Sequence, residues 1–235
     1  MGEILAMTKM RRAGMAALAL VAGLAACGTD QTRLETGREA TAEVKALLRG
    51  LVHRGPKGAA PDPQQIAREA LAANAGPLML VSLEATKSTS VFGLRGENNG
   101  MRTWLSPSGQ GVITRGGILA GTRGFGNDLM SSDIGPLIGA VQGRRTTALK
   151  IELRYLDGLG KERPLPLDCR TGTAAPTGYD FAGMRFEGTP VAVHCEGYGF
   201  TFDNSYIVSG AGTVLSSRQW IGPRLGYLTL QSLRN

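Results

Sequence analysis

The chain is poor in the side chains that carry most enzymatic chemistry. Two histidines and three cysteines are spread over 235 residues, with no C-x-x-C among them, so the usual zinc ligand sets have no counterpart. No metal and no cofactor is expected. There is no G-x-S-x-G elbow. His194, the one histidine beyond residue 76, sits in the apolar run "VAVHCEG", which suits a satisfied core or edge histidine better than a general base. No block of like charges occurs, so a nucleic-acid partner is not expected either. Long apolar runs are equally scarce: "AGMAALALVAGLAAC", ending at Cys27, is too short to span a bilayer comfortably.

The setting of that run is informative. Lys9, Arg11 and Arg12 precede it, the pattern of an export signal over residues 1–26; Met7 and Met10 are alternative starts. It closes on "LAAC", Leu24 to Cys27, which resembles the lipobox of bacterial lipoproteins, where the Cys is acylated and becomes the first mature residue. Cys27 is therefore the expected lipid-attachment site, for acyl chains of the palmitate kind; the alternative is a signal that ends at Ala26 and leaves a free thiol. Several acyl chains anchor stably, because each buried methylene contributes about 0.8 kcal/mol. The membrane contact expected is a tether, not a span. Gly28, not Asp, follows the Cys, which resembles a passenger sorted to the bacterial outer membrane and facing the periplasm.

Without residues 1–26 the charge falls from +7 to +5, with 23 Lys and Arg against 18 Asp and Glu. A mildly basic surface of this kind is usually just solvated, although it favours contact with acidic polysaccharide or lipid headgroups.

Three segments follow: the signal (1–26), a tether with N-terminal helices (27–76), and a β-rich domain (77–235). In the second, Val44, Leu47, Leu48 and Leu51 recur at spacings of three and four and predict one helix. "HRGPKGAAP" is a linker, and "DPQQIAREALAANAG" predicts a second helix with Asp62 at the N-cap, Pro63 in the first turn and an end at Gly76. From Leu78 on, short apolar or alternating runs are punctuated by Gly, Asn and Pro, the signature of antiparallel strands joined by hairpins. In "LKIELRY", Leu149, Ile151, Leu153 and Tyr155 alternate with Lys150, Glu152 and Arg154, one face buried and one wet. "DGLGKE" and "SGAGT" supply turns. About ten strands in roughly 160 residues predict a mainly β fold: a large antiparallel curved sheet, or a partly open β-barrel or sandwich. Cys169 and Cys195 lie on neighbouring predicted strands in an exported chain and are expected to form a disulfide.

The lipobox, the central "VITRGGILAGTRGFGNDLMSSD" and the C-terminal "FDNSYIVSGAGTVLSSRQWIGPRLGYLTLQSLR" together resemble the group 4 capsule polysaccharide lipoprotein family, of the GfcB/YjbF type. The most specific pieces are "TRGFGNDLMSSD", the pair Asn204 and Tyr206, and Ser217, Arg218, Gln219 and Trp220 followed by Pro223 and Gly226. The resemblance implies an outer-membrane lipoprotein of capsule or exopolysaccharide production with a β-rich fold, and it carries no established catalytic residues.

Read residue by residue, "RGFGNDLMSSDIG" lacks the Lys-Ser/Thr of a phosphate loop. It is read as a turn through Gly124 and Gly126, with Asn127 or Asp128 capping a short helix "DLMSSDIGPLIGAVQ" that Pro136 bends or divides. Trp104 and Trp220 each offer a face for a sugar ring or a packing role in the core. Arg218 and Gln219 beside Trp220 make that corner the best glycan-contact candidate. Asn204 is read as a core polar anchor or a ligand contact inside a barrel. The resulting expectation is a non-enzymatic lipoprotein that assembles or exports polysaccharide, by binding the glycan or by docking to secretion components. The alternatives are a polysaccharide hydrolase using the carboxylates of Asp128 and Asp133, and an envelope scaffold that never touches glycan.

Overall fold

The computed structural model describes residues 61–235. The signal segment, Cys27, the helix expected around Val44 to Leu51 and most of the linker lie outside the described residues. Helix α1, Pro63–Ala73, begins as expected: Asp62 is its N-cap and accepts a hydrogen bond from the amide of Gln64 at 3.0 Å. Its last carbonyls meet Arg234, whose guanidinium donates to the carbonyls of Leu71 and Asn74. A cation at this end satisfies orphan acceptors and opposes the helix dipole.

Thirteen strands follow: β1 Leu78–Leu83, β2 Ser88–Asn98, β3 Met101–Leu105, β4 Gly111–Arg115, β5 Ile118–Arg123, β6 Ser131–Asp133, β7 Ala148–Leu156, β8 Glu162–Thr173, β9 Thr177–Phe181, β10 Met184–Gly197, β11 Phe200–Val208, β12 Val214–Gly222 and β13 Gly226–Arg234. Helix α2, Gly135–Gln142, lies between β6 and β7. All pairings are antiparallel, in the order β5-β4-β3-β2-β1-β13-β12-β11-β10-β8-β7-β6, with β9 paired to the start of β10. Two meanders are thus joined where β1 meets β13.

The ends of this path, β5 and β6, come back together, so the sheet is nearly closed into a barrel. Thr122 donates its amide to the carbonyl of Leu129 at 2.9 Å, and Ser132 Oγ donates to the carbonyl of Ala120 at 3.1 Å. Arg123 spans the same seam, donating to the carbonyls of Thr122, Leu129 and Met130. An open strand edge presents unpaired backbone groups to any partner. Here the edge of β5 is answered by the chain's own next segment.

The main core fills the barrel and includes Phe92, Trp104, Ile151, Leu167, Phe202, Tyr206 and Leu228, together with Leu137 and Val141 of α2. A smaller core lies under α1, where Ala67 and Ala70 pack on Leu78, Leu80 and Leu233. Strand β1 serves both: Met79, Val81 and Leu83 enter the barrel while Leu78 and Leu80 face the helix. A strand covered on both sides reads as a continuous apolar run, which is why "LMLVSL" does not alternate. Exposed on one side, "LKIELRY" alternates as expected, with Ile151 and Leu153 buried and Lys150 in water.

Cys169 and Cys195 are disulfide-bonded across the register of β8 and β10, with Cα atoms 4.1 Å apart. That spacing belongs to the closer, non-hydrogen-bonded kind of antiparallel pair. Below it β10 leaves β8, so Pro164 and Pro166 pair only with β7; a residue without an amide hydrogen is tolerated there as on an edge strand.

Two expectations are corrected. Neither Asn127 nor Asp128 caps a helix: residues 131–133 form β6, and α2 starts only at Gly135, with Ile134 before it and Pro136 in its first turn. Proline there starts the helix and does not bend it, because its missing amide is one that has no intrahelical partner anyway. His194 is no core residue. It lies on the outer face of β10, with Nδ1 2.8 Å from Oδ1 of Asp203.

Candidate functional site

The "TRGFGNDLMSSD" block is the seam of the barrel. Asp128 binds its own loop: Oδ1 accepts from Thr122 Oγ1 at 2.9 Å and from the amide of Phe125 at 3.2 Å, and Oδ2 accepts from the amide of Gly124 at 2.9 Å. Thr122 Oγ1 in turn accepts from the amide of Leu129. Both carboxylate oxygens are occupied in holding the turn. Asp133 is exposed on β6, opposite Glu152.

The residues of "SRQW" are neighbours in sequence with separate destinations. Gln219 is buried and crosses the barrel: its Oε1 accepts from the amide of Leu119 at 2.8 Å and from the Tyr206 hydroxyl at 3.2 Å, and its Nε2 donates to Ser217 Oγ at 2.9 Å and the carbonyl of Gly117 at 3.3 Å. Burial pushes the Tyr206 phenol far above its ordinary range, so it is a permanent neutral donor to Gln219. Trp220 is stacked on Phe202 with ring centroids 4.3 Å apart and meets Tyr155 edge-on at 6.3 Å. Asn204 Oδ1 accepts from the amide of Trp220 at 2.7 Å, just past Ser205 and Arg218, the last paired residues of β11 and β12. Its side chain replaces a lost ladder bond. Asn204 is thus a core polar anchor.

Arg218 alone of these four reaches the surface. Its guanidinium lies 3.3 Å from the centroid of Tyr227 and forms a fork with Glu84 at 2.6 and 2.8 Å. The hydrogen bond from Arg218 holds the Glu84 carboxyl below its ordinary range, and the same bond raises Arg218.

A sizeable concavity lies at the opposite end of β5 from the seam. It is a half-open cleft of about 630 Å³, between the β4–β5 turn (Gly116, Gly117), the end of α2 (Gln142, Gly143) and the β11–β12 turn (residues 211–215), with Arg102, Trp104, Thr114 and Ser217 inside. Its volume falls within the roughly 300–1,000 Å³ of small-molecule sites. Arg102 and Trp104 are two residues apart on β3 and share a face; Thr114 is the register partner of Arg102 on β4. The glycines of "TRGG" make the turn possible. Gly117 has φ +81°, and a Cβ there would sit 2.5 Å from Cβ of Val214.

The polar groups of this cleft are largely donors. Trp104 Nε1 donates to Thr114 Oγ1 at 3.0 Å, and Gln219 Nε2 donates to Ser217 Oγ. Both hydroxyls are buried and their own hydrogens have no protein acceptor among the described residues. Gln142 Nε2 donates to the carbonyl of Gly116 at 3.2 Å. No Asp or Glu side chain lines the cleft, and Arg102 is the one lining residue with a charged side chain. The sequence reading weighed Trp104 for sugar stacking but singled out neither Arg102 nor Thr114; their alternation on β3 and β4 was a legible signal, the convergence of three turns above them was not.

Among the described residues no helix is long and apolar enough to cross a membrane, and no three His, Cys, Asp or Glu side chains cluster as a metal site. The family described as "Group 4 capsule polysaccharide lipoprotein gfcB, YjbF" matches residues 37–233. No curated protein matches the chain in sequence. The fold is similar to the crystal structure of the hypothetical lipoprotein YmcC from Escherichia coli K12, at a TM-score of 0.64 and 17% identity over 73% of this chain and 90% of that one. A putative exported protein with a YmcC-like fold from Bacteroides fragilis aligns at a TM-score of 0.32 and 9% identity, over 68% and 96% of the two chains.

Proposed function

The chain belongs to the group 4 capsule polysaccharide lipoprotein family, and from that premise we propose that it is a lipid-anchored outer-membrane protein, facing the periplasm through Cys27, that assists capsule or exopolysaccharide assembly by holding the glycan without cleaving it. The observation that carries the glycan part is the cleft: hydroxyl, amide and indole groups over a mixed apolar and polar lining, with no Asp or Glu side chain among them. Inverting and retaining glycosidases both use a pair of Asp or Glu side chains at a set distance, and this lining has no such pair. Its partners are the components of polysaccharide export, with the tether keeping the barrel near them.

The test is complementation of a deletion strain. Thr213, exposed at the rim, is replaced by Trp to fill the cleft without touching the core. Polysaccharide output is expected to fall to the level of the deletion strain while intracellular precursor and protein abundance stay normal. Full output from Thr213→Trp would remove the cleft from the function; full output from the deletion strain itself would remove the role in polysaccharide production.

A further inference from the structure

We propose that the cleft selects an acidic sugar, one bearing a carboxylate such as a uronic acid, and that Arg102 reads the charge. This rests on the proposal that the cleft holds glycan. Four arginines are occupied by the protein's own groups. Arg123, Arg144 and Arg234 donate to backbone carbonyls, and Arg218 is forked to Glu84. At the cleft, none of the guanidinium nitrogens of Arg102 donates a hydrogen bond among the described residues. Its Nε is buried without an acceptor, although Oε2 of Glu97 lies 3.1 Å away, because the two are not aligned for a bond. Arg102 is held by its neighbours' charge and by the ring of Trp104, whose centroid is 5.1 Å from its Cζ.

A guanidinium fixed by a ring face and left with unused donors is prepared for a planar bidentate acceptor. The surroundings agree. Thr114 Oγ1 and Ser217 Oγ each accept one bond from the protein and keep their own hydrogens to give. The cleft thus presents the Arg102 guanidinium and two buried hydroxyl donors, with no Asp or Glu side chain in its lining. A neutral sugar uses the hydroxyls but leaves the guanidinium donors unused; a carboxylate-bearing sugar uses both. Glu97, more than half exposed on β2, competes for Arg102, and its removal should help an acidic ligand.

The experiment is a titration of the full chain in detergent, at about 0.15 M salt so that long-range attraction is screened. The probes are a defined oligosaccharide of alternating uronic acid and neutral sugar, the same oligosaccharide with its carboxyls reduced to alcohols, and sodium acetate. The acidic oligosaccharide is expected to bind about tenfold or more tighter than its reduced form, the scale of a charged hydrogen bond. Arg102→Gln should abolish that difference, and Glu97→Gln should enlarge it; thermal unfolding of both variants checks that they fold. Equal binding of both oligosaccharides, a difference that survives Arg102→Gln in a folded variant, or acetate competing as well as the oligosaccharide would overturn the acidic-sugar inference while leaving glycan binding in place. Binding of none of the probes would count against the glycan-holding proposal itself.

Discussion

The two ends of β5 use the same kinds of residue in opposite ways. At one end, the segment 122–133 gathers Thr, Arg, Asp and Ser, and its backbone consumes them: Asp128 binds two amides and a hydroxyl of its own loop, and Arg123 binds three carbonyls. At the other end the cleft draws its polar residues from segments far apart in sequence, and Arg102, Thr114 and Ser217 keep donors unused. Polar density in a sequence therefore does not mark a site. What marks it is the polar capacity left after the backbone has been satisfied, because a loop that bends sharply must first pair its own amides and carbonyls.

The largest effect expected of any single change should come from neither end but from the wall between them. Trp220→Ala removes the ring stacked on Phe202 and should cost about 3–5 kcal/mol in urea unfolding; a loss under 1 kcal/mol would mean that the indole is not the packing element described. Opening the disulfide by the pair Cys169→Ser and Cys195→Ser, which closes a separation of 26 residues, should cost about 3 kcal/mol, read as a lower unfolding midpoint that a reducing agent no longer shifts.

The seam is tested by Asp128→Ala, expected to destabilise by about 1–3 kcal/mol because the amides of Gly124 and Phe125 lose their acceptor. The same variant decides whether the seam has a second task. If polysaccharide output falls far more than protein abundance does, Asp128 acts on a substrate and the hydrolase reading returns. If output follows abundance, the residue is architectural, and the contrast between the ends of β5 stands.

The smallest effect is at the surface pair of Glu84 and Arg218. Glu84 titrates below its ordinary value in the folded chain, chiefly through the hydrogen bond from Arg218. A lowered folded value stabilises above the unfolded value, near 4.5, and that contribution disappears as pH falls through the folded value. Both side chains are about 40% exposed, so the gain should stay below about 1 kcal/mol. Glu84→Gln should accordingly lower stability slightly at pH 7 and make the curve flatter between pH 5 and 3; an unchanged acid limb would show that the pair contributes nothing.

Much of the architecture was legible. The alternation of β7, the Asp62–Pro63 helix start and the hairpins at 157–161 and 209–213 follow from local periodicity or turn chemistry, and the pairing of Cys169 with Cys195 follows from an export signal and neighbouring strands. The helix expected from residue 128 failed for a definable reason: the carboxylate that was to cap it turned back to Gly124 and Phe125, leaving residues 131–133 free to pair with β7. His194 was misplaced because its neighbours Val193 and Cys195 are buried, and alternation then sends the residue between them outward. "SRQW" looked like one corner because four polar or aromatic residues were adjacent, whereas alternation sends Arg218 outward between the buried Ser217 and Gln219, and Trp220, next to a register shift, is buried as well.

By itself, the sequence determined the mainly antiparallel β character and the inward and outward faces of most strands, together with the signal and lipobox pattern by which the chain resembles exported lipoproteins, because each is written in spacings of a few residues. Only the tertiary structure decided that the sheet nearly closes on itself, that Gln219 ties β12 to an amide 100 residues away, and that Arg102 is left with donors to spare. Those outcomes depend on which distant backbone groups find partners, and no local spacing records that.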